Sequence, residues 1–164
     1  MKKFLALIIL AIGLICPAVT IVKSIQFNQN CKGYLKQTAD ANSVELALER
    51  LNKAIDYIEA NNLTSGYTSI IYRTEDENIE FWYNNLLTCK QELTECIESS
   101  QFEKTNVLMK VRESLTDQSE NGTVITCPPG LSRYPNNKMF AFFNFFGLLI
   151  ALFGFCWFFV EFRY

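Results

Sequence analysis

Two long stretches without a single charge bracket this 164-residue chain, and no other feature limits its folding as severely. The first runs from Phe4 to Val22, behind Lys2 and Lys3 and ahead of Lys23. As a helix rising 1.5 Å per residue, its roughly 19 residues cover about 29 Å, the thickness of the hydrocarbon layer. The second runs from Met139 to Val160, between Lys138 on one side and Glu161 and Arg163 on the other, and is also long enough to span. Most of the 14 phenylalanines lie after Lys138. The overall figures, 49% hydrophobic, 20% charged and a net charge of −2, resemble a soluble acidic protein only because unlike parts are averaged.

The first stretch has a competing reading as a cleaved signal peptide. It has a basic start, an apolar run from Phe4 to Ile15, and Cys16 and Ala18 as small residues before a cut. The apolar run nevertheless continues through Val19, Ile21 and Val22, which an anchor needs and a signal peptide does not. A lipoprotein reading of Cys16 is weak, because Ile15 stands where a small residue is wanted. The expected organisation is therefore an N-terminal transmembrane helix over 1–23, an extracytoplasmic helical domain over 24–132, and a C-terminal transmembrane helix with a short tail over 133–164. Membrane lipid is the first expected partner.

Within the second stretch, Asn144, Gly147, Ala151 and Gly154 recur at helical spacing and form one stripe among large phenylalanines. Ala6 and Gly13 offer a matching surface on the first stretch, and Asn144 requires a hydrogen-bonding partner inside a bilayer. The stripe is expected to pack against the first helix or against another copy of the chain. Small residues are also simply frequent in membrane helices.

Counting positive charges does not orient the chain, since Lys23, Lys32, Lys36, Arg133 and Lys138 oppose Lys2 and Lys3. The charge rule weakens for loops beyond about 60 residues, and a short basic amino terminus usually stays inside, so export of the middle is favoured. Cysteine usage agrees. Of the six cysteines, Cys16 and Cys156 lie in the apolar runs, leaving Cys31, Cys89, Cys96 and Cys127 as candidate disulfide partners. On one helix Cys89 and Cys96 would stand roughly 10.5 Å apart, beyond the ~7 Å a disulfide tolerates, so each is expected to reach Cys31 or Cys127. The competing reading makes them small apolar residues of a core in a reducing compartment. With no histidine and no C-x-x-C pair, neither a metal site nor a cofactor is expected.

The middle reads as all-α, a small helical bundle or hairpin domain between the two transmembrane helices. Val44, Ala47, Leu48, Leu51, Ala54, Ile55 and Ile58 make an amphipathic stripe behind Ser43 as N-cap, with a further helix over Gly33 to Ala41 before it. Thr74 with Glu77 predicts a capping box and a second helix starting there, striped by Ile79, Trp82, Leu86, Cys89, Leu93 and Cys96. Ser100 with Glu103 repeats the signature for a third helix, carrying Phe102, Leu108, Val111 and Leu115 and ending near Thr116. From Val124 through Cys127, Pro128, Pro129 and Gly130 the chain is expected to be extended.

Between the first two of these helices, Tyr67 and Tyr72 sit in a loop rich in aromatic and β-branched residues. With Phe81, Trp82 and Tyr83 they place five rings near one end of the hairpin. Such a group serves either as a recognition surface or as a plug for a bundle short of core volume. Asn62 with Thr64 and Asn121 with Thr123 fit the glycosylation pattern, at a frequency chance explains.

The strings Asn30-Cys31-Lys32-Gly33-Tyr34-Leu35-Lys36, Gly66-Tyr67-Thr68-Ser69 and Phe81-Trp82-Tyr83-Asn84-Asn85-Leu86 carry a resemblance over about a third of the chain, as does the run from Ala39 to Ala47. The region Asn30 to Leu86 resembles a family of small bacterial membrane-anchored helical proteins that carries no assigned activity. The resemblance implies a bacterial source and weakens glycosylation further. It brings no catalytic residue.

Catalysis is not expected. Of the densest carboxylates, Glu75, Asp76, Glu77 and Glu80, three fall in the first turn of a helix, where they favour its N-terminus, and the missing imidazole removes the commonest acid–base group. Without a basic cluster, nucleic acid is not an expected partner. The leading expectation is a non-enzymatic integral membrane protein, in the bacterial inner membrane, whose exported helical domain acts in protein–protein interaction or as an accessory subunit of an envelope complex. Its partner would be another membrane or envelope protein, or itself as a homo-oligomer. The alternative is an oligomeric transport or pore component, against which stands the lack of any ionisable residue in either apolar stretch.

Overall fold

A computed structural model describes residues 2–120 and 122–163, with side chains placed for 4–120 and 122–160. Asn121, one of the two glycosylation matches, lies outside the described residues, as do the side chains of Lys2, Lys3, Glu161 and Arg163. The chain divides into two compact units, one made of Met1–Ile25 with Ser132–Tyr164 and the other of Gln26–Leu131.

The first unit is a pair of helices, α1 (Lys2–Phe27) and α6 (Asn137–Arg163), each long and apolar enough to cross a membrane. They run antiparallel. Ala6 meets Gly154, Gly13 meets Gly147, and Thr20 meets Asn144. Their leucine, isoleucine and phenylalanine side chains point outward, the arrangement a lipid solvent favours.

The second unit begins at the end of α1, where a π turn (Asn28–Lys32) leads into α2 (Gly33–Ala39). The extra residue of such a turn rotates the side chains that follow it, and here Cys31 is brought fully inside. Helix α2 stops at Asp40. Ser43 then caps α3 (Val44–Ala60), its Oγ accepting from the Leu46 amide at 3.2 Å. Helices α4 (Ile79–Glu95) and α5 (Gln101–Leu115) complete the bundle, with α4 packed on α3 and α5 closing over α2 and α4. Leu35, Leu51, Ile55, Ile58, Leu86, Leu93 and Val111 fill the core. The expected stripe of α4 is buried along its whole length, from Ile79 to Cys96. Arg112 on α5 donates Nε–H to the Ala39 carbonyl at 2.8 Å, satisfying an orphan acceptor at the end of α2.

The fold departs from the all-α expectation in one small hairpin, and from the expected helix details in two further places. Thr116–Ser119 (β1) and Gly122–Ile125 (β2) pair antiparallel, Thr116 opposite Ile125, so α5 is followed by a small hairpin rather than an irregular polar stretch. The Thr74–Glu77 capping box forms, yet it closes only a 3₁₀ turn over Glu75–Glu77. Asn78 is extended and caps α4 itself, its Oδ1 accepting from the Phe81 amide at 3.1 Å, so the helix starts at Ile79 and not at Thr74. Phe102 is not a core residue. It lies on the open face of α5, which buries only Val111 and Leu115.

Candidate functional site

The start of α4, the hairpin and the segment after it enclose a groove of about 630 Å³. Its assembly follows from two hydrogen bonds. The indole Nε1 of Trp82 donates to the Thr126 carbonyl at 3.0 Å, and the Thr126 amide donates to the Leu115 carbonyl at 2.9 Å, so the strand leaving β2 is pinned to both α4 and α5. Pro128 and Pro129 follow, with fixed φ and no N–H to offer a neighbour, and form a stiff wall. The ring of Phe81, 64% exposed, lines the same groove. Glu75 and Asp76 from the 3₁₀ turn and Asp117 from β1 supply three carboxylates, and among the described residues no lysine or arginine lines the groove.

The five aromatic residues singled out in the sequence are divided by the fold. Phe81 and Trp82 belong to this groove, one as exposed surface and the other as buried support. Tyr67 is half-buried: its hydroxyl accepts from Asn78 Nδ2 at 3.3 Å, and the Arg73 guanidinium lies 5.0 Å over its ring. Tyr72 is exposed on the loop. Tyr83 turns toward α3 and donates its hydroxyl proton to Glu59 Oε1 at 2.6 Å.

That bond to the Glu59 carboxylate, helped by desolvation, pushes the Tyr83 phenol up to about 12. Because the folded value lies above the unfolded one, the contribution is complete below about pH 10 and disappears as the pH rises toward 12. An ultraviolet titration should therefore show a late tyrosine ionisation that is absent in Tyr83→Phe and moves to lower pH in Glu59→Ala. A titration unchanged by Glu59→Ala would refute the pairing.

Cys31, Cys89, Cys96 and Cys127 are all free thiols in this structure. The expectation that Cys89 and Cys96 each reach Cys31 or Cys127 is not met. The π turn carries Cys31 fully inside, and Cys127, in the segment after β2, is half-buried. Cys89 is buried on the stripe of α4, and that burial raises its thiol, with a partial offset from Ser114 on α5. Cys96 is buried at the C-terminal end of the same helix. Burial pushes the Cys31 thiol up to about 12, with a further push from Cys127 and a partial offset from Lys32. Burial also raises Cys127, while the bonded Lys32 ammonium pulls it back down.

Asn144, Gly147, Ala151 and Gly154 face α1. Asn144 Nδ2 donates to Thr20 Oγ1 at 3.0 Å, and Thr20 in turn donates to the Cys16 carbonyl at 2.9 Å. A Cβ on Gly147 would fall 2.7 Å from the Gly13 carbonyl oxygen, and one on Gly154 would fall 2.8 Å from the Leu10 nitrogen. Pro17 contributes indirectly. It has no N–H for the carbonyl four residues back, which is that of Gly13, and the freed oxygen faces the hydrogens of Gly147. Sequence reasoning missed Thr20 and Pro17. The heptad spacing of Ala6, Gly13 and Thr20 carried the signal.

No protein family, curated protein or solved structure matches the chain.

Proposed function

We propose that this is a non-enzymatic integral membrane protein whose central domain holds a partner protein in the groove beside Phe81, as an accessory subunit of an envelope complex. The observation that carries the reading is the groove's lining. Three carboxylates share the lining with an exposed ring and a proline wall, with no cation there among the described residues, which suits an extended segment bearing lysine or arginine. The cation would meet Glu75, Asp76 and Asp117 while its aliphatic stem lies on Phe81. The two apolar helices support membrane association. The resemblance over Asn30 to Leu86 supports a bacterial inner membrane, and the four cysteines of the central domain favour its extracytoplasmic side. Support for an oligomeric pore is weaker, since the amide of Asn144 is engaged by Thr20 within the same chain.

Capture of crosslinked partners from membranes tests the reading. Phe81→Ala and Asp117→Asn together should lower recovery of a specific partner by about tenfold, the scale of a lost aromatic anchor, and raised salt should weaken it further. Equal recovery by the wild type and the double variant would sink the proposed surface.

A further inference from the structure

We propose that the loop tip Ile70-Ile71-Tyr72 enters the headgroup layer of the bilayer and gives the helical unit a lipid contact of its own. The inference rests on the reading of α1 and α6 as membrane helices and is independent of what the groove holds. Ile71 is 88% exposed, more than any described large apolar residue of α1 or α6, and Ile70 and Tyr72 beside it are exposed as well. Two isoleucines followed by a tyrosine gain nothing from water. They suit an interface, where the aliphatic side chains sink below the headgroups and the phenol stays at their level.

The tip is held at the end of the helical unit from which the chain continues into α1. The Phe27 ring, on the last turn of α1, lies 6.2 Å from that of Tyr57, near the end of α3. Asn62, at φ 55°, then reverses the chain, the Leu63 amide donating to the Ile58 carbonyl at 2.9 Å while the Leu63 side chain is buried. Two bonds clamp the base of the loop: the Thr68 amide donates to the Glu77 carbonyl at 3.1 Å and the Ile79 amide to the Gly66 carbonyl at 2.9 Å. The tip is what remains between them, 69–74, and out and back such a length of chain reaches about 10 Å. Along α1, the rise from Val22, the last residue of the uncharged stretch, to Phe27 is about 7.5 Å, and tilt of the helix only shortens it. The polar layer on each side of a bilayer is roughly 5–7 Å deep, so Phe27 and Tyr57 stand at its outer surface and the tip is long enough to enter it. The attraction is apolar. Arg73 follows the tip with its guanidinium over the Tyr67 ring, but Glu75, Asp76 and Glu77 come next, so neutral phosphatidylcholine suffices as the lipid.

The test uses the full-length protein carrying Trp157→Phe and Tyr72→Trp, reconstituted in phosphatidylcholine vesicles with and without bromine on the acyl chains. Emission of the parent Trp157→Phe protein is subtracted, so that the introduced indole alone is read. It should lose about half of its emission or more to the brominated chains, and raised salt should not restore it. Adding Ile70→Ser and Ile71→Ser should abolish the quenching and leave the melting midpoint of the helical unit where it was, because both side chains are exposed. Quenching that survives the two serine changes would overturn the proposal, since the isoleucines would not carry the contact. The wild type tests the underlying reading separately, because Trp157 of α6 must itself be quenched. Quenching of Trp157 without quenching of the introduced indole overturns the loop contact alone, and quenching of neither removes the membrane reading along with it.

Discussion

Gly147→Leu will pull α6 away from α1. In a bilayer the lipid chains are as apolar as the helices, so the pair gains nothing from hiding apolar surface and depends on close contact and interhelical hydrogen bonds. The contact here is backbone to backbone. A side chain on Gly147 meets the Gly13 carbonyl oxygen at 2.7 Å, and one on Gly13 meets the Gly147 oxygen at 2.5 Å and the Ala151 nitrogen at 2.6 Å. None of these atoms is the end of a flexible side chain, so the helices must separate and the rest of the seam goes with them. Overpacking of side chains typically costs about 1–3 kcal/mol, and a clash between two helix backbones belongs at or above the top of that range. Asn144→Leu should cost less, about 0.6–1.7 kcal/mol, as interhelical hydrogen bonds in membranes do. Unfolding in mixed micelles of rising SDS content, followed through Trp157 of α6, should rank Gly147→Leu below Asn144→Leu, with outward-facing Phe146→Leu close to wild type. Coincident midpoints for Gly147→Leu and Phe146→Leu would show that the close approach does not hold the pair.

The features legible in the sequence were those that a single element decides for itself. The α4 stripe from Ile79 to Cys96 repeats at helical spacing, and burial of that whole face needs no knowledge of what covers it. Ser43 and Ser100 bond to amides three residues ahead, so their roles as caps are equally local. Thr74 shows where such a rule overreaches. Its box is real, but Asn78 four residues later is a second cap signal, and the helix obeys the later one. The hairpin had a local signal in the turn-forming pair Asn121-Gly122, although Gly122, at φ 107°, stands in the first strand position opposite Ser119 and not in the turn itself. It was obscured because Thr116 to Ser119 are polar and show no apolar alternation, the strand being exposed on both faces.

The groove was only half legible. Helical phase alone separates Phe81 from Trp82: counting from the buried Ile79, Trp82 is three residues on and returns to the core, whereas Phe81 is two residues on and faces out. The other wall comes from Asp117 and the prolines, brought in by a hairpin and by the Trp82–Thr126 bond, and no local pattern announces a contact across 44 positions. The thiols follow the same division. Helix geometry alone excludes a Cys89–Cys96 bond, whereas the full burial of Cys31 depends on the π turn, which no local pattern announces.

Trp82→Ala will consequently behave as a core mutation rather than as the loss of a contact residue. Trp82 is 6% exposed, and removing such a side chain from a packed interior typically costs about 3–5 kcal/mol. The same change leaves the Thr126 carbonyl without the indole donor and frees the segment that carries Cys127, Pro128 and Pro129. A small domain has only about 5–15 kcal/mol in total, so the melting midpoint of the helical unit should fall by roughly 15 °C or more. Trp82→Phe separates the two contributions. It keeps most of the ring volume and loses only the hydrogen bond, so it should cost about 1–3 kcal/mol, the penalty of an acceptor deprived of its donor. Phe81→Ala, next to it in sequence and exposed, should leave stability within about 0.5 kcal/mol of wild type while lowering partner recovery several-fold. Thermal and urea unfolding of the three variants, measured alongside partner capture, distinguishes support from contact. If Trp82→Ala melts with the wild type, Trp82 is not the pin that builds the groove, and the aromatic end of α4 must be reread as surface throughout.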